Sequence, residues 1–107
     1  MAKIINISDK LSLDKPVIQV GEKTYTVNDS LETVMKFEES YSDGGDTQSM
    51  LECMKIALGA KAYAEMKFEK MSFRNIQVWF FAVMAAMQDL TYEEVEARFR
   101  KFSETND

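Results

Sequence analysis

The chain has 107 residues, a formal net charge of -5, 46% hydrophobic and 29% charged residues, one cysteine and no histidine. Such a length and composition predict one folded domain, and an acidic balance without a basic cluster argues against nucleic acid as a partner. A lone Cys53 excludes an internal disulfide, and the missing histidine removes the usual zinc sets and the Ser/His/Asp and Cys/His nucleophile systems.

The N-terminal 15 residues read as an arm. Residues 3–7 alternate weakly, and the next stretch is polar apart from Leu11 and Leu13, so the apolar residues are expected either to pack down on the domain or to reach a neighbouring subunit. Pro16 opens a hairpin: Val17, Ile18 and Val20, a turn at Gly21-Glu22-Lys23, then Tyr25 and Val27. Two strands alone are marginal in water, so this hairpin should lie on the helices or pair with another strand.

Asn28-Asp29-Ser30 marks the change from strand to helix period. Asp29 as N-cap with Glu32 makes a capping-box-like start, and Leu31, Val34, Met35, Phe37 and Tyr41 fall in an apolar arc of roughly 160° at 100° per residue. Glu38 lies inside that arc and is expected at its edge or neutralised by Arg74 or Arg98. The SDGGD break at 42–46 ends this helix. Asp43 and Asp46 lack the ligand alternation of a calcium loop, and no metal is expected there.

Asp46 or Thr47 caps a second helix with Met50, Leu51, Cys53, Met54, Ile56, Ala57 and Leu58 around more than half of its wheel. Cys53 reads as a small core residue. Gly59 is a C-cap or kink, and residues 60–71 continue as a short amphipathic helix carrying Ala62, Tyr63, Met66 and Phe68. Residues 73–90, from Phe73 to Leu90, form the organising element, because Val78 to Met87 reads VWFFAVMAAM. A helix apolar all round is buried at the centre of a domain or covered by a partner. Trp79, Phe80, Val83 and Met87 are expected inside, and the Phe81/Ala82/Ala85 side against the last helix or another subunit. Thr91 with Glu94 then forms a capping box and Leu90 with Val95 a hydrophobic staple, opening a helix with the narrow stripe Tyr92, Val95, Phe99 and Phe102.

The fold class that follows is α+β and mostly α-helical: an N-terminal β-hairpin followed by four to five helices around the central apolar helix. Residues 16–103 make the single globular domain, after the arm at 1–15 and before a polar tail at 104–107. The longest apolar run is about half the roughly 20 residues a membrane span needs, and the N-terminus has no signal-peptide core, so a cytoplasmic protein without membrane contact is expected. No P-loop, dinucleotide fingerprint, nucleophile elbow or assembled acid–base pair is present, which leaves no catalytic or cofactor residues to assign and a non-enzymatic role expected.

The segment 21–27 (GEKTYTV), Ser30-Leu31-Glu32-Thr33-Val34 leading to Lys36-Phe37-Glu38-Glu39, then Ala57-Leu58-Gly59 and a Phe/Met/Ala-rich helix, resembles the small tail assembly chaperones of tailed phages and prophages over most of residues 16–102. The resemblance implies a factor in the bacterial host cytoplasm that coats the hydrophobic tape measure protein before tail tube polymerisation. It implies no catalytic residue, metal or cofactor. A chaperone for an apolar helical client needs an adaptable apolar surface, and eight methionines offer flexible contacts, although each also suits a core. Chemistry alone nominates Phe81, Ala82, Ala85, Met50, Met54, Met66, Tyr92 and Phe99 as protein-binding candidates, in a chain expected to form a homo-oligomer. A ring-forming virion component such as a head–tail connector or tail completion protein, and a small acidic inhibitor of a host target, remain as alternatives.

Overall fold

The computed structural model describes residues 2–12, 14–42 and 46–105, with backbone alone at 42 and 101–105. Leu13, the Asp43-Gly44-Gly45 turn, the Phe102 side chain and the last two tail positions lie outside the described residues. An antiparallel hairpin, β1 (Val17–Val20) and β2 (Lys23–Thr26), precedes five helices: α1 (Leu31–Ser42), α2 (Thr47–Leu58), α3 (Ala60–Met66), α4 (Phe73–Gln88) and α5 (Tyr92–Thr105). The fold is α+β and predominantly helical, as the hydrophobic periods predict.

The hairpin turn is shorter than expected. Val20 pairs with Lys23, leaving two loop residues, Gly21 and Glu22. Gly21 holds a φ of 62° while Glu22 stays at negative φ, the pattern of a type II′ turn whose twist matches the strands. At its open end the hairpin is tied to the helices: the Val27 N–H donates to the Pro16 carbonyl, and the Asn28 N–H to that of Ala57 at the end of α2.

Local chemistry sets the helix boundaries, with two corrections. Helix α1 is capped by Ser30, not Asp29: the Ser30 hydroxyl accepts from the Thr33 N–H at 3.3 Å, and the Ser30 N–H donates to Asn28 Oδ1. The one-residue shift follows from Asn28, whose side chain closes an Asx turn just before the cap. Residues 60–71 are not one helix either. Lys67 adopts the left-handed conformation and ends α3, after which a 3-10 turn (Phe68–Lys70) drives Phe68 fully into the core. The remaining caps follow the sequence. Asp46 accepts from Ser49 N–H at 2.8 Å, and Ser72 from Asn75 N–H at 3.2 Å. Thr91 and Glu94 exchange two hydrogen bonds of 3.1 Å. Helix α4 stops at Gln88, where Asp89 turns left-handed and Leu90 N–H bonds back to the Ala85 carbonyl. Helix α5 continues through Thr105, further than the apolar stripe that defines it.

The core lies between α1, α2, α4 and α5. Val27, Cys53, Met54, Phe68, Phe80, Val83 and Val95 are its most deeply buried side chains. Phe80 stacks at 5.8 Å on Phe37 and 5.4 Å on Tyr41, and meets Phe99 edge-on at 6.3 Å. Trp79, half-buried rather than central, joins the hairpin to the 3-10 turn through edge contacts with Tyr25 (5.4 Å) and Phe68 (5.8 Å). The radius of gyration, 16.1 Å, exceeds the roughly 13 Å of a compact chain of this length, in keeping with an arm that is exposed throughout its described residues.

Candidate protein-binding surfaces

Helix α1 rests on α2 and buries a narrow stripe. Thr33 and Phe37 are buried, Val34 and Tyr41 half-buried, and these four span about 100° of the wheel. Leu31 and Met35 lie roughly 60 to 100° beyond that stripe and stand 75% and 59% exposed, against the broad buried arc expected of them. The reason is that α2 together with Phe80 of α4 and Phe99 of α5 covers one stripe, and the i,i+4 series Thr33–Phe37–Tyr41 is the one that faces them. Thr33 can enter because its hydroxyl accepts a 2.9 Å bond from Ser30 Oγ. Glu38 is exposed, as its edge position implied.

Helix α4 has two unlike sides. One carries the core. The other presents Asn75, Val78, Ala82 and Ala86 toward β1, and alanine methyls are too short to fill the space under Ile18. A groove of about 460 Å³ results between β1 and α4, with Ile18, Val20, Met71, Val78, Ala82 and Tyr92 among its walls. It continues past Ala86 and Leu90 to Pro16. Val17 and Val20 of the hairpin and Val78 of the helix are substantially exposed around it, and Phe73 is exposed elsewhere on the helix, so the central helix is not buried all round. Phe73 lies on the core azimuth but in the first turn, beyond the reach of the packed body.

The eight nominated residues do not form one surface. Met50 and Met54 are buried in the chain's own core and have no surface to offer a partner, whereas Ala85, though largely buried, lines the continuation of the groove beside Leu90. The core reading was the correct one for these two methionines. Phe81, Tyr92 and Phe99 pack on one another across α4 and α5, Phe81 lying 4.7 Å from Phe99 and 6.2 Å from Tyr92. Tyr92 and Ala82 also reach the groove, while half-buried Met66 lies apart from it on α3. The nominations omitted Leu31, Met35, Val17, Val20, Phe73 and Val78. The signal for the first two was the competing Thr33–Phe37–Tyr41 series; for Val17, Val20 and Val78 it was the paired alanines opposite a hairpin, and for Phe73 its place in the first turn of α4.

The shifted titratable groups follow from burial and capping. Burial, reinforced by Glu52, pushes the Cys53 thiol up to about 11, and its Sγ donates to the Phe37 carbonyl at 3.4 Å. Because the folded value is raised, the stabilisation is complete below the ordinary thiol range near 8.5 and is lost as pH rises through about 11. Cys53 is therefore expected to resist a thiol-specific disulfide reagent at pH 8 in the folded chain and to react promptly in guanidinium; equal rates in both would remove it from the core. Burial, then Glu96 and Glu93, raises the Tyr92 phenol, and burial followed by Cys53 raises that of Tyr41, so both stay neutral. Asp46 is lowered by the Ser49 N–H it accepts as helix cap. Among the described residues no cluster of three metal-ligating side chains occurs, and no helix is long and apolar enough to cross a membrane.

Fold and surfaces together define a small α+β domain whose distinctive features are apolar faces left open on α1 and along a sheet edge. No family model, curated protein or solved structure matches the chain.

Proposed function

We propose that this chain is a non-enzymatic assembly factor of the phage tail chaperone type, which shields a hydrophobic helical client of the tape measure kind. The observation that carries the reading is the Leu31/Met35 pair. Two large apolar side chains one turn apart on the wet face of α1 match the i,i+4 spacing with which one helix docks on another. Methionine there adapts to varied client side chains. The acidic surface around such a face keeps a protein that binds greasy segments from precipitating with itself.

A long, coiled-coil-rich reading frame immediately downstream would encode the client, and the test is co-expression with it. The two chains are expected to co-purify, and Leu31→Glu with Met35→Glu to weaken the complex at least about tenfold while leaving the melting curve in place. Undiminished binding by the double variant, or a locus without such a reading frame, overturns the reading. The ring-forming virion component is the second reading, favoured by the exposed arm; it requires a fixed multiple of the chain mass that persists on dilution.

A further inference from the structure

The arm and the groove are complementary, and each is unsatisfied within its own chain. Ile4 and Ile5 are 89% and 73% exposed, and Ile7 and Leu11 are exposed as well. A run of isoleucines with strand propensity and nothing against it is costly for a solvated arm. On the receiving side, the pairing register of the hairpin points the main-chain groups of Ile18 and Val20 at β2, and those of Val17 and Gln19 outward to an open edge. A two-stranded sheet with such an edge is itself marginal.

We propose that residues 3–7 of one copy add as a third strand to the open edge of β1 in a second copy, with the two arms exchanged reciprocally. Side chains of a strand alternate between faces, so Ile5 and Ile7 enter the groove beside Ile18, over Val78 and Ala82, and Ile4 lies next to Val17 on the outer face. Charge agrees with this occupant. The arm is net positive, with Lys3 and Lys10 against Asp9, and the Tyr92 wall of the groove is flanked by Glu93 and Glu96. Size is in keeping with a concentration-dependent pair: the five docked residues, 3–7, and the nine that line the groove fall below the roughly 20 residues a side of a standard stable interface. Reciprocal exchange also closes the assembly as a two-fold pair and covers the β1 edge in both copies.

Sedimentation of the full chain at increasing concentration is expected to show a monomer–dimer equilibrium. Ile5→Lys with Ile7→Lys, and separately Val78→Lys, change exposed positions and should raise the dissociation constant on the order of 100-fold with unaltered circular dichroism. An equimolar mixture of the two variants keeps one intact arm and one intact groove, so it should associate more tightly than either alone. A short bis-maleimide joining Ile4→Cys to Gln19→Cys, which share the outer face, should yield cross-linked dimer. A monomer at all concentrations, no recovery on mixing, or a cross-link closed within one chain, which would place the arm on its own sheet, overturns the proposal.

Discussion

Phe80→Ala is expected to lower stability by about 3–5 kcal/mol, which for a domain of this size is a fall in melting temperature of roughly 15–30 °C. The side chain is 1% exposed, and its ring is shared by Phe37 and Tyr41 of α1 and Phe99 of α5. Among the described residues, no other side chain of α4 touches aromatic rings of both helices in this way. Truncation therefore loses the transfer energy of the ring and opens a cavity walled by three rigid aromatics, which collapse poorly. Phe80→Leu, which refills much of the volume, should recover a large part of the loss. An alanine variant that melts within about 5 °C of the wild type would show that the core does not pass through Phe80.

Phe81→Asp is the second large effect, about 2–4 kcal/mol, and is local in character. Phe81 is half-buried and lies flat on Phe99, with Tyr92 beside it. Aspartate removes that stack and sets a partly desolvated carboxylate beside Tyr92, whose own phenol already feels Glu96 and Glu93. Helix α5 holds to α4 largely by this stripe and Val95, so the expected signature in hydrogen exchange is early loss of protection along α5 while α2 stays protected. Because the contact is made inside the chain, self-association through the arm should survive wherever the domain remains folded. Uniform loss of protection across all helices would mean that α5 does not open as a separate unit.

The contrast between Phe81 and Val78, three residues apart on one helix, locates the boundary of what the sequence conveys. Both belong to the unbroken apolar run, and composition assigns them the same fate. Helix α5 happens to cover the azimuth of Phe81. Beta strand β1 approaches that of Val78 but meets Ala82 and Ala86, and the shortfall in side-chain volume leaves a groove. Met54 and Met35 make the same point, one at the centre of the core and one in water.

Chain-local physics was sufficient for the order and type of the elements. The Gly21 turn signal, the hydroxyl or carboxylate caps at Asp46 and Thr91, and the break at Gly59 act over three or four residues and can be read where they stand, although the turn itself is one residue shorter than read. Where two local devices competed, as Asn28 with Asp29 or the left-handed Lys67 within an amphipathic pattern, boundaries moved by one to a few residues. Which apolar side chains lie inside was decided only in the tertiary structure, because burial depends on which neighbour arrives at each azimuth, and that is set by helices distant in sequence. Residues 73–90 were certain to be the hub from their composition; that one side of the hub stays open toward β1 follows only from how the hairpin and α5 pack on it.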